Sequence, residues 1–470
     1  MAKKYRGPKA STLPRTLSAS LAGIRAGSAL AVDSVVQRIM GRGPDDEDSE
    51  FARREARHFV RELGKLKGTY IKIGQMLALF GEQFLPRVLV DALRDLSDQT
   101  EPLHWDALES SVRDSLGARY QELDIDPQAI AAASLAQVHL ARIRSSGDWI
   151  CLKIQYPGLA QVIDADFDAV VRMLLLARWV KTGRDLDDWL ESMRAHLHNE
   201  IDYRREAAFT KRMGVLVKSV RGAPISYHVP QLYPHYCTDA VLAMEFIEGV
   251  SVVDPEVAGL SLERRNALAK GMLELFFYEL YEWGLLQTDP NFGNYLLRLD
   301  DRRKKIAHDE LVLLDFGSVL DCDEDFLYHL RQTIAAGQQQ DLPRLVDGLI
   351  GLGCLQSDAS AEGRKLFADF CLHLLEPLRA PGQLPAQYLN ASGEYCWGKS
   401  ALMRRAGKQA ALSATSRHFT TPSRDFALIA RKLTGLFNFI AALEAEFNAH
   451  GMVESHIRRW REREQRAAKR

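Results

Sequence analysis

The stretch LVLLDFG (residues 311–317) places an acidic residue directly after four apolar ones. Upstream, DPNFGN (289–294) places an asparagine five residues after an aspartate. On its own, an aspartate before proline is most simply a turn residue. Taken together, the two stretches supply carboxylate and amide oxygens beside a predicted strand, and these are ligands that Mg²⁺ prefers. They therefore predict a magnesium site.

The order and spacing of these residues are those that protein kinases use. The pattern matches a catalytic-loop Asp, an Asn that binds magnesium five residues later, and the Asp of a later DFG tripeptide. The triphosphate of ATP has to be neutralised by a metal that hard oxygen ligands hold. We therefore expect Asp289 to orient or deprotonate the nucleophile, and Asn294 and Asp315 to bind Mg²⁺.

A lysine within an apolar strand supports the same interpretation. Lys153 lies in the second strand of a predicted hairpin, whose strands cover 137–143 and 149–154. Burial of a lysine is costly without an anionic partner. We expect Glu206, on a helical stretch, to pair with it, so that Lys153 can hold the ATP phosphates. Taken alone, Lys153 would be interpreted as a solvated edge-strand lysine.

The loop that covers the phosphates is expected just before this hairpin. No glycine-rich sequence stands there, and AAASLAQVH (131–139) takes its place. Small residues still let the backbone approach a phosphate, with less freedom than glycine allows, although an alanine-rich helix end is the alternative. MEFIEG (244–249) is expected to offer backbone groups to an adenine edge. The predicted nucleotide-binding residues are Ala132, Ala133, Ser134, Gln137, Lys153, Glu245 and Ile247.

The composition is that of an ordinary globular protein. Of the 470 residues, 46% are hydrophobic and 26% charged, and 61 basic against 62 acidic residues leave a net charge of −1. This balance argues against a dedicated nucleic-acid binder, which relies on many phosphate-facing cations. Six scattered cysteines without a CxxC pair predict reduced thiols in an intracellular compartment. No apolar run reaches the roughly 18 to 20 residues that a membrane-spanning helix needs.

Changes in periodicity divide the chain into four predicted regions. These are a basic N-terminal segment with an acidic linker (1–50), a helical extension (51–125), an N-lobe (126–250) and a helical C-lobe with a basic tail (251–470). We also expect a helical stretch at 160–208, strands at 228–232 and 241–246, and two strands around a charged turn within 296–315.

With these motifs in place, the sequence resembles the UbiB (AarF) family of atypical protein-kinase-like proteins, some of which are needed for ubiquinone synthesis. The resemblance implies an α+β, two-lobed protein-kinase-like fold that is predominantly helical and carries an N-terminal KxGQ extension. It also implies ATP and Mg²⁺ as cofactors. The matching motifs are KIGQ (72–75), the alanine-rich loop, Lys153, EID (200–202), Glu206, QTDPNFGN (287–294) and DFG (315–317).

The resemblance gives the KxGQ motif a role in guarding the cleft. Lys72 and Gln75 share a helix face, and the family likeness implies that Glu200 pairs with Lys72. We expect Glu200, Asp202 and Glu206 on one helix, with Glu200 on a different face from the other two. The guarding helix would occupy the place of a peptide substrate, which implies ATP hydrolysis or restricted phosphoryl transfer. A surface lysine on an amphipathic helix is the alternative for Lys72.

The chain also departs from typical kinases. Gln287 stands where they have His, and Thr288 where many have Arg, so control by activation-loop phosphorylation is not expected. The paired C-terminal membrane helices of some bacterial relatives are missing, so a cytoplasmic chain with peripheral membrane contact is predicted. The basic tail could bind anionic lipid with Trp460 at the interface, or form a solvated helix.

The function predicted from the sequence is that of an Mg-ATP-binding atypical kinase or ATPase in ubiquinone or other lipid metabolism. One alternative is a nucleotide-gated lipid- or protein-binding module with little turnover. The other is a small-molecule kinase, which the KxGQ segment disfavours. The expected partners are a nucleotide and a membrane or lipid, without nucleic acid, and no oligomeric state is indicated.

Overall fold

The computed structural model describes residues 50–66, 68–81, 84–96, 102–177, 179–180, 186–300, 308–407, 424–467 and 469. The basic N-terminal segment and nearly all of the acidic linker lie outside these ranges. The chain divides into two compact units. Unit 1 comprises the residues up to 208 together with 231–246, and unit 2 comprises 209–230 and 247–470.

Helices make up most of both units. Their bounds, in chain order, are α1 (Glu50–Leu66), α2 (Thr69–Phe80), α3 (Arg87–Leu93), α4 (Glu109–Leu116), α5 (Leu159–Leu176), α6 (Leu186–Glu200), α7 (Tyr203–Leu216), α8 (Pro255–Ala258), α9 (Leu262–Tyr278), α10 (Glu324–Gln339), α11 (Leu342–Gly351), α12 (Ala361–Leu374), α13 (Trp397–Ser400), α14 (Arg424–Ala442) and α15 (His450–Ala467).

The strands are short and fall into three groups. Their bounds are β1 (Leu123–Ala132), β2 (Ala136–Ile143), β3 (Trp149–Gln155), β4 (Ser226–His228), β5 (Val241–Glu245), β6 (Leu285–Gln287), β7 (Tyr295–Arg298), β8 (Glu310–Leu313) and β9 (Val319–Asp321). Unit 1 holds an antiparallel sheet in the order β1-β2-β3-β5. Unit 2 holds a sheet in the order β4-β8-β7 and the pair β6-β9.

The helical extension of unit 1 has the periodicity that its sequence predicts. Apolar residues at three- and four-residue steps, such as Phe59, Leu63, Ile73 and Leu77, are all buried and join one core with residues of α5 and α6. Gly68 separates α1 from α2 at a φ of 60°, a conformation that glycine adopts without steric cost.

The predicted hairpin is present as β2 and β3. Strand β1, which pairs with β2, was missed, because its last residues belong to the alanine-rich stretch that was interpreted as a loop. The two strands predicted within 296–315 are β7 and β8, while most of the charged turn between them lies outside the described residues. The strand predicted at 228–232 is wrong in extent, because β4 ends at His228 and Leu232 makes only an isolated bridge to Met244.

The basic C-terminal helix α15 packs onto the rest of unit 2 through its aromatic residue. Trp460 is 2% exposed, with its ring 6.2 Å from that of Tyr281 and 6.0 Å from that of Tyr328. Arg463 forms an ion pair with Glu282. Of the two alternatives for this tail, the one with Trp460 at a membrane interface does not fit the structure, because its ring is already buried within the protein. In the described part of the chain, no helix has the length and apolarity to span a bilayer.

Candidate active site

Unit 1 contains an ion pair between Lys153 and Glu206. Successive side chains of strand β3 point to opposite faces of the sheet. Ile150, Leu152 and Ile154 therefore face the core, and Lys153 is on the other face. Its Nζ donates to both carboxylate oxygens of Glu206, at 2.7 and 3.0 Å. The side chain of Glu206 is 2% exposed and that of Lys153 is 19% exposed. The predicted contact is present, and the role of the pair in holding phosphates stays a prediction.

A cysteine shares this side of the strand. Cys151 lies two residues before Lys153 and packs among Tyr203, Leu242 and Met244. Burial raises the pKa of its thiol to about 11. The chain's six cysteines are all free thiols, and this one is held in its protonated form at neutral pH.

A second ion pair ties the KxGQ helix to α6. Lys72 and Gln75 both lie on α2, and the Nζ of Lys72 is 2.8 Å from Oε1 of Glu200. Each side chain of the pair is about one-fifth exposed, at 20% and 19%. The pairing that the family likeness implied is therefore observed, and its effect on activity stays a prediction.

The EID motif does not lie on one helix as expected. Glu200 is the last residue of α6, and α7 begins at Tyr203. Asp202 stands between them, and its Oδ1 accepts a hydrogen bond from the backbone nitrogen of Arg205 at 2.9 Å. An aspartate in this position caps the following helix and so interrupts the preceding one. For Asp202, helix capping is the structural role that competes with the predicted guarding role.

The alanine-rich stretch forms the connection between β1 and β2. Ala132 ends β1, Ala133 donates its backbone nitrogen to Ala136 at 2.8 Å, and Ser134 is buried. The side chain of Gln137 is 1% exposed and exchanges hydrogen bonds with the backbone of Leu103, at 2.8 and 3.1 Å. A structural role is thus the simpler interpretation of Gln137, while the other three stay predicted nucleotide contacts.

The segment predicted to contact adenine lies where the chain leaves unit 1. Glu245 is the last residue of β5, and its backbone nitrogen donates to Gln231 at 2.8 Å. The Glu245 side chain accepts in turn from the Gln231 nitrogen at 3.1 Å. Ile247 is the first residue of the following part of unit 2 and is 8% exposed. Their contact with a nucleotide stays a prediction.

In unit 2, three predicted residues converge at the ends of neighbouring strands. Antiparallel pairing of β7 with β8 continues past the strands, since the Leu314 nitrogen donates to the Asn294 carbonyl at 3.0 Å. This bond brings Asn294 beside Asp315. The Asn294 amide nitrogen donates to Oδ2 of Asp289 at 2.9 Å, and Oδ1 of Asp315 accepts from the Gly317 nitrogen at 2.8 Å.

Gln287 holds the two acidic segments together. Its Nε2 donates to the backbone carbonyl of Asp289 at 2.8 Å and to that of Asp315 at 3.4 Å. Its Oε1 accepts from the hydroxyl of Tyr295 at 2.8 Å. Burial raises the pKa of Tyr295 to about 12, so the hydroxyl stays protonated and can donate. The sequence marked Gln287 only as a departure from His, and the structure shows an amide that donates and accepts at once.

An arginine far along the chain also contacts Asp289. Arg431, on α14, donates to Oδ1 of Asp289 at 2.9 Å, and the two side chains are 31% and 27% exposed. Sequence analysis missed this contact. Nothing local marks Arg431, because 142 residues separate the partners.

The donor set of unit 2 fits a magnesium ion. Within the described residues, no three or more His, Cys, Asp or Glu side chains are grouped as metal ligands. The predicted set would not form such a group, since Asn294 and Asp315 offer one amide oxygen and one carboxylate. Mg²⁺ in nucleotide sites is commonly held by one or two protein groups plus substrate phosphates. Because Asn294 points its amide nitrogen at Asp289, its carbonyl oxygen is the atom that would contact the ion.

The chain is similar to a described protein family and to named proteins. The family model described as the ABC1 atypical kinase-like domain matches residues 95–347. The chain is similar to the mitochondrial atypical kinase COQ8 of Saccharomyces cerevisiae, at 30% identity over 322 residues, or 68% of this chain and 62% of that protein. It is also similar to the mitochondrial atypical kinase COQ8 of Schizosaccharomyces pombe, at 26% identity over 434 residues, or 92% of this chain and 67% of that protein. The chain thus spans about two-thirds or less of these relatives.

Among solved structures, the chain resembles a Mycobacterium tuberculosis protein determined in complex with erythromycin. The TM-score is 0.57 at 22% identity, and the match covers 88% of this chain and 98% of that one. At this identity the likeness concerns the fold alone. Together with the family match, it confirms the predicted α+β, predominantly helical, kinase-like fold.

Proposed function

The chain belongs to the ABC1 atypical kinase-like family, as its resemblance to UbiB (AarF) proteins predicted, and from this premise we propose that it binds ATP with magnesium and hydrolyses or transfers the γ-phosphoryl group. The single observation that carries the proposal is the convergence of Asp289, Asn294 and Asp315 at adjoining strand ends of unit 2. A purely structural acidic cluster would not need this order and spacing.

Each residue of the site has a proposed role. Asp289 accepts the proton of the nucleophile or orients it, while Asn294 and Asp315 hold the magnesium ion. When bound, the ion neutralises charge on the phosphates of the nucleotide. Lys153, kept in place by Glu206, supplies the cation that pairs with those phosphates.

The nucleotide is proposed to contact the β1–β2 connection and the end of β5. Ala132, Ala133 and Ser134 offer a backbone without bulky side chains, which allows close approach of phosphate oxygens. Glu245 and Ile247 would present backbone groups to the adenine edge. We keep four regions as the proposed domain organisation. They are the N-terminal segment with its linker (1–50), the helical extension (51–125), the N-lobe (126–250) and the C-lobe (251–470).

We further propose that the KxGQ helix restricts the reaction. The Lys72–Glu200 pair anchors α2 to α6, so this helix is held in one position by more than its apolar face. Gln75 and Asp202 complete the proposed guarding set. Phosphoryl transfer would then favour water or a small or lipid-linked acceptor over a general protein substrate.

The biological setting is proposed from the family. The similar yeast proteins are named as mitochondrial atypical kinases, and a relative in Dictyostelium discoideum is named as a probable serine/threonine-protein kinase. For this chain we propose a role in ubiquinone or other lipid metabolism, with peripheral contact to a membrane or lipid.

The testing experiment follows the label of γ-labelled ATP, with magnesium, in the presence and absence of anionic liposomes. Free phosphate that rises with liposomes supports a lipid-coupled ATPase, and label on the protein or on an added acceptor supports a kinase. Label that stays in bound ATP refutes turnover and favours a nucleotide-gated lipid- or protein-binding module.

The metal assignment is tested in the same preparation. Asp315→Asn is expected to lower Mg-dependent ATP affinity at least about tenfold, because a carboxylate ligand is lost. Asp347→Asn, at an exposed position of α11, is the matched control and should leave the affinity unchanged. Equal affinities for Asp315→Asn and the wild type would contradict the assignment.

A further inference from the structure

One face of α14 runs along the segment that carries Asp289. Lys432, Gly435 and Phe439 are spaced by three, four and seven residues and so share this face, and Arg431, four residues before Gly435, lies beside them. All four contact residues between 279 and 295, as the following paragraphs describe. The helix lies beyond residue 347, where the match to the family domain ends.

Arg431 acts on the side chain of Asp289. Its guanidinium donates to Oδ1 at 2.9 Å, while Asn294 donates to Oδ2 at 2.9 Å. Both oxygens of the Asp289 carboxylate therefore accept a hydrogen bond, and together these two bonds determine the orientation of the carboxylate plane. Charge-assisted hydrogen bonds of this kind are stronger than neutral ones.

Lys432 contacts Gln287, whose side chain donates a hydrogen bond to the backbone of Asp289. Its Nζ is 3.0 Å from Oε2 of Glu279 and 3.4 Å from Oε1 of Gln287, and it is 2% exposed. Burial alone would lower the pKa of Lys432. The neighbouring Glu279 carboxylate keeps this pKa above its ordinary value, so the lysine remains charged. Gln287 in turn donates to the Asp289 carbonyl at 2.8 Å.

Gly435 lets the helix approach the loop at close range. A Cβ atom at this position would lie 1.8 Å from Cβ of Pro290 and 3.1 Å from its Cα. Pro290 is rigid and directly follows Asp289, so any side chain at 435 would displace the loop. One turn further, the ring of Phe439 lies 5.8 Å from that of Phe292 and 5.9 Å from that of Tyr295.

From these contacts we propose that α14 is part of the catalytic apparatus, with Arg431 as a positioning residue that sets the orientation of Asp289. The proposal rests on the proposed function, since Asp289 is the residue that it positions. Arg431 brings from a distant helix a cation that position 288, occupied by Thr, does not supply. A chain cut after the matched domain would then retain the motifs and lose most of its turnover.

The first test compares steady-state ATP turnover of the full chain and its Arg431→Gln variant. Turnover number is expected to fall about 100-fold, because a misplaced catalytic group costs rate, while the KM for Mg-ATP stays within about threefold. Arg431→Lys, which keeps the charge, should recover part of the rate. Arg344→Gln, which removes an exposed arginine of α11 paired with Asp341, is the matched control and should not change turnover.

A double variant separates positioning from general loss of structure. If Arg431 acts through Asp289, the Asp289→Asn/Arg431→Gln chain should be no slower than Asp289→Asn alone. Multiplying losses would overturn the proposal. So would an Arg431→Gln chain with the wild-type turnover number.

The second test needs no turnover and therefore stands apart from the proposed function. Hydrogen exchange of peptides spanning 285–296 is measured in the full chain, in Arg431→Gln and in Gly435→Ala. Both variants should speed exchange there at least about tenfold and leave β2 and β3 unchanged. Gly451→Ala, at a helical glycine with nothing within 4 Å of its Cβ, is the control. Unchanged exchange in both test variants would overturn the proposal, even if the wild type proved inactive.

Discussion

Replacing Lys153 by methionine tests how much the buried ion pair contributes to unit 1. The substitution keeps the aliphatic stem and removes the ammonium group, which contacts both Glu206 oxygens at 2.7 and 3.0 Å. Glu206 is 2% exposed, so its carboxylate would lose this cation in a place that water hardly reaches. Breaking a buried pair on one side costs about 3–5 kcal/mol. Because Lys153 is 19% exposed, we expect the lower end, about 3 kcal/mol.

Hydrogen exchange under native conditions measures this loss within unit 1. Peptides from β2 and β3 should exchange about 150-fold faster in Lys153→Met, the factor that corresponds to about 3 kcal/mol. Glu206→Gln should cost about 2 kcal/mol, and the double variant should be no less stable than Lys153→Met, which gives a coupling energy of about 2 kcal/mol.

The control is an exposed ion pair at the end of the same sheet, between Asp124 of β1 and Arg144, which directly follows β2. A guanidinium nitrogen of Arg144 lies 2.5 Å from Oδ1 of Asp124. Both side chains are more than half exposed, at 57% and 58%. Arg144→Met should cost less than about 1 kcal/mol, because water solvates the charge left behind. If Lys153→Met costs no more than this control, or if the two single losses add in the double variant, the reasoning from burial is refuted.

Three further outcomes are expected. Lys72→Ala should raise ATP hydrolysis or autophosphorylation about tenfold by freeing α2 from Glu200, and unchanged rates would remove the guarding role. Cys151 should react with iodoacetamide at pH 7.5 about 300-fold more slowly than an ordinary thiol, since a pKa of about 11 leaves little thiolate, and equal rates would contradict its burial. Burial alone would raise the pKa of Glu376, but hydrogen bonds from Arg405 lower it, so this carboxylate stabilises the fold above pH 4.3 or so and less as the pH falls through its folded pKa. Arg405→Met should therefore cost about 3 kcal/mol in urea unfolding at pH 7 and much less at pH 3, and a pH-independent loss would contradict this.

Short-range patterns predicted the elements that carry the site. The hairpin pattern of 137–154 predicted strand β3 and the position of Lys153 within it. The side of the strand on which Lys153 lies was decided by the folded structure. The kinase-like order of the motifs predicted that Asn294 and Asp315 would act together. The observed pairing of β7 with β8 brings the two residues to adjoining strand ends. The break between α6 and α7 was missed, because an aspartate within a charged helical stretch resembles a surface residue until its capping bond is seen.

The chemistry of the candidate site is thus present in the sequence, since residue type and order determine which oxygens and cations the chain can offer. The packing of distant segments decided which of these groups form ion pairs with one another. Glu206 lies 53 residues from Lys153, and Arg431 lies 142 residues from Asp289. Motif spacing could suggest the first pair, whereas the second exists because Gly435 lets α14 approach Pro290 closely. Such a contact has no local signature, as its geometry depends on a helix surface meeting a distant loop in the folded chain.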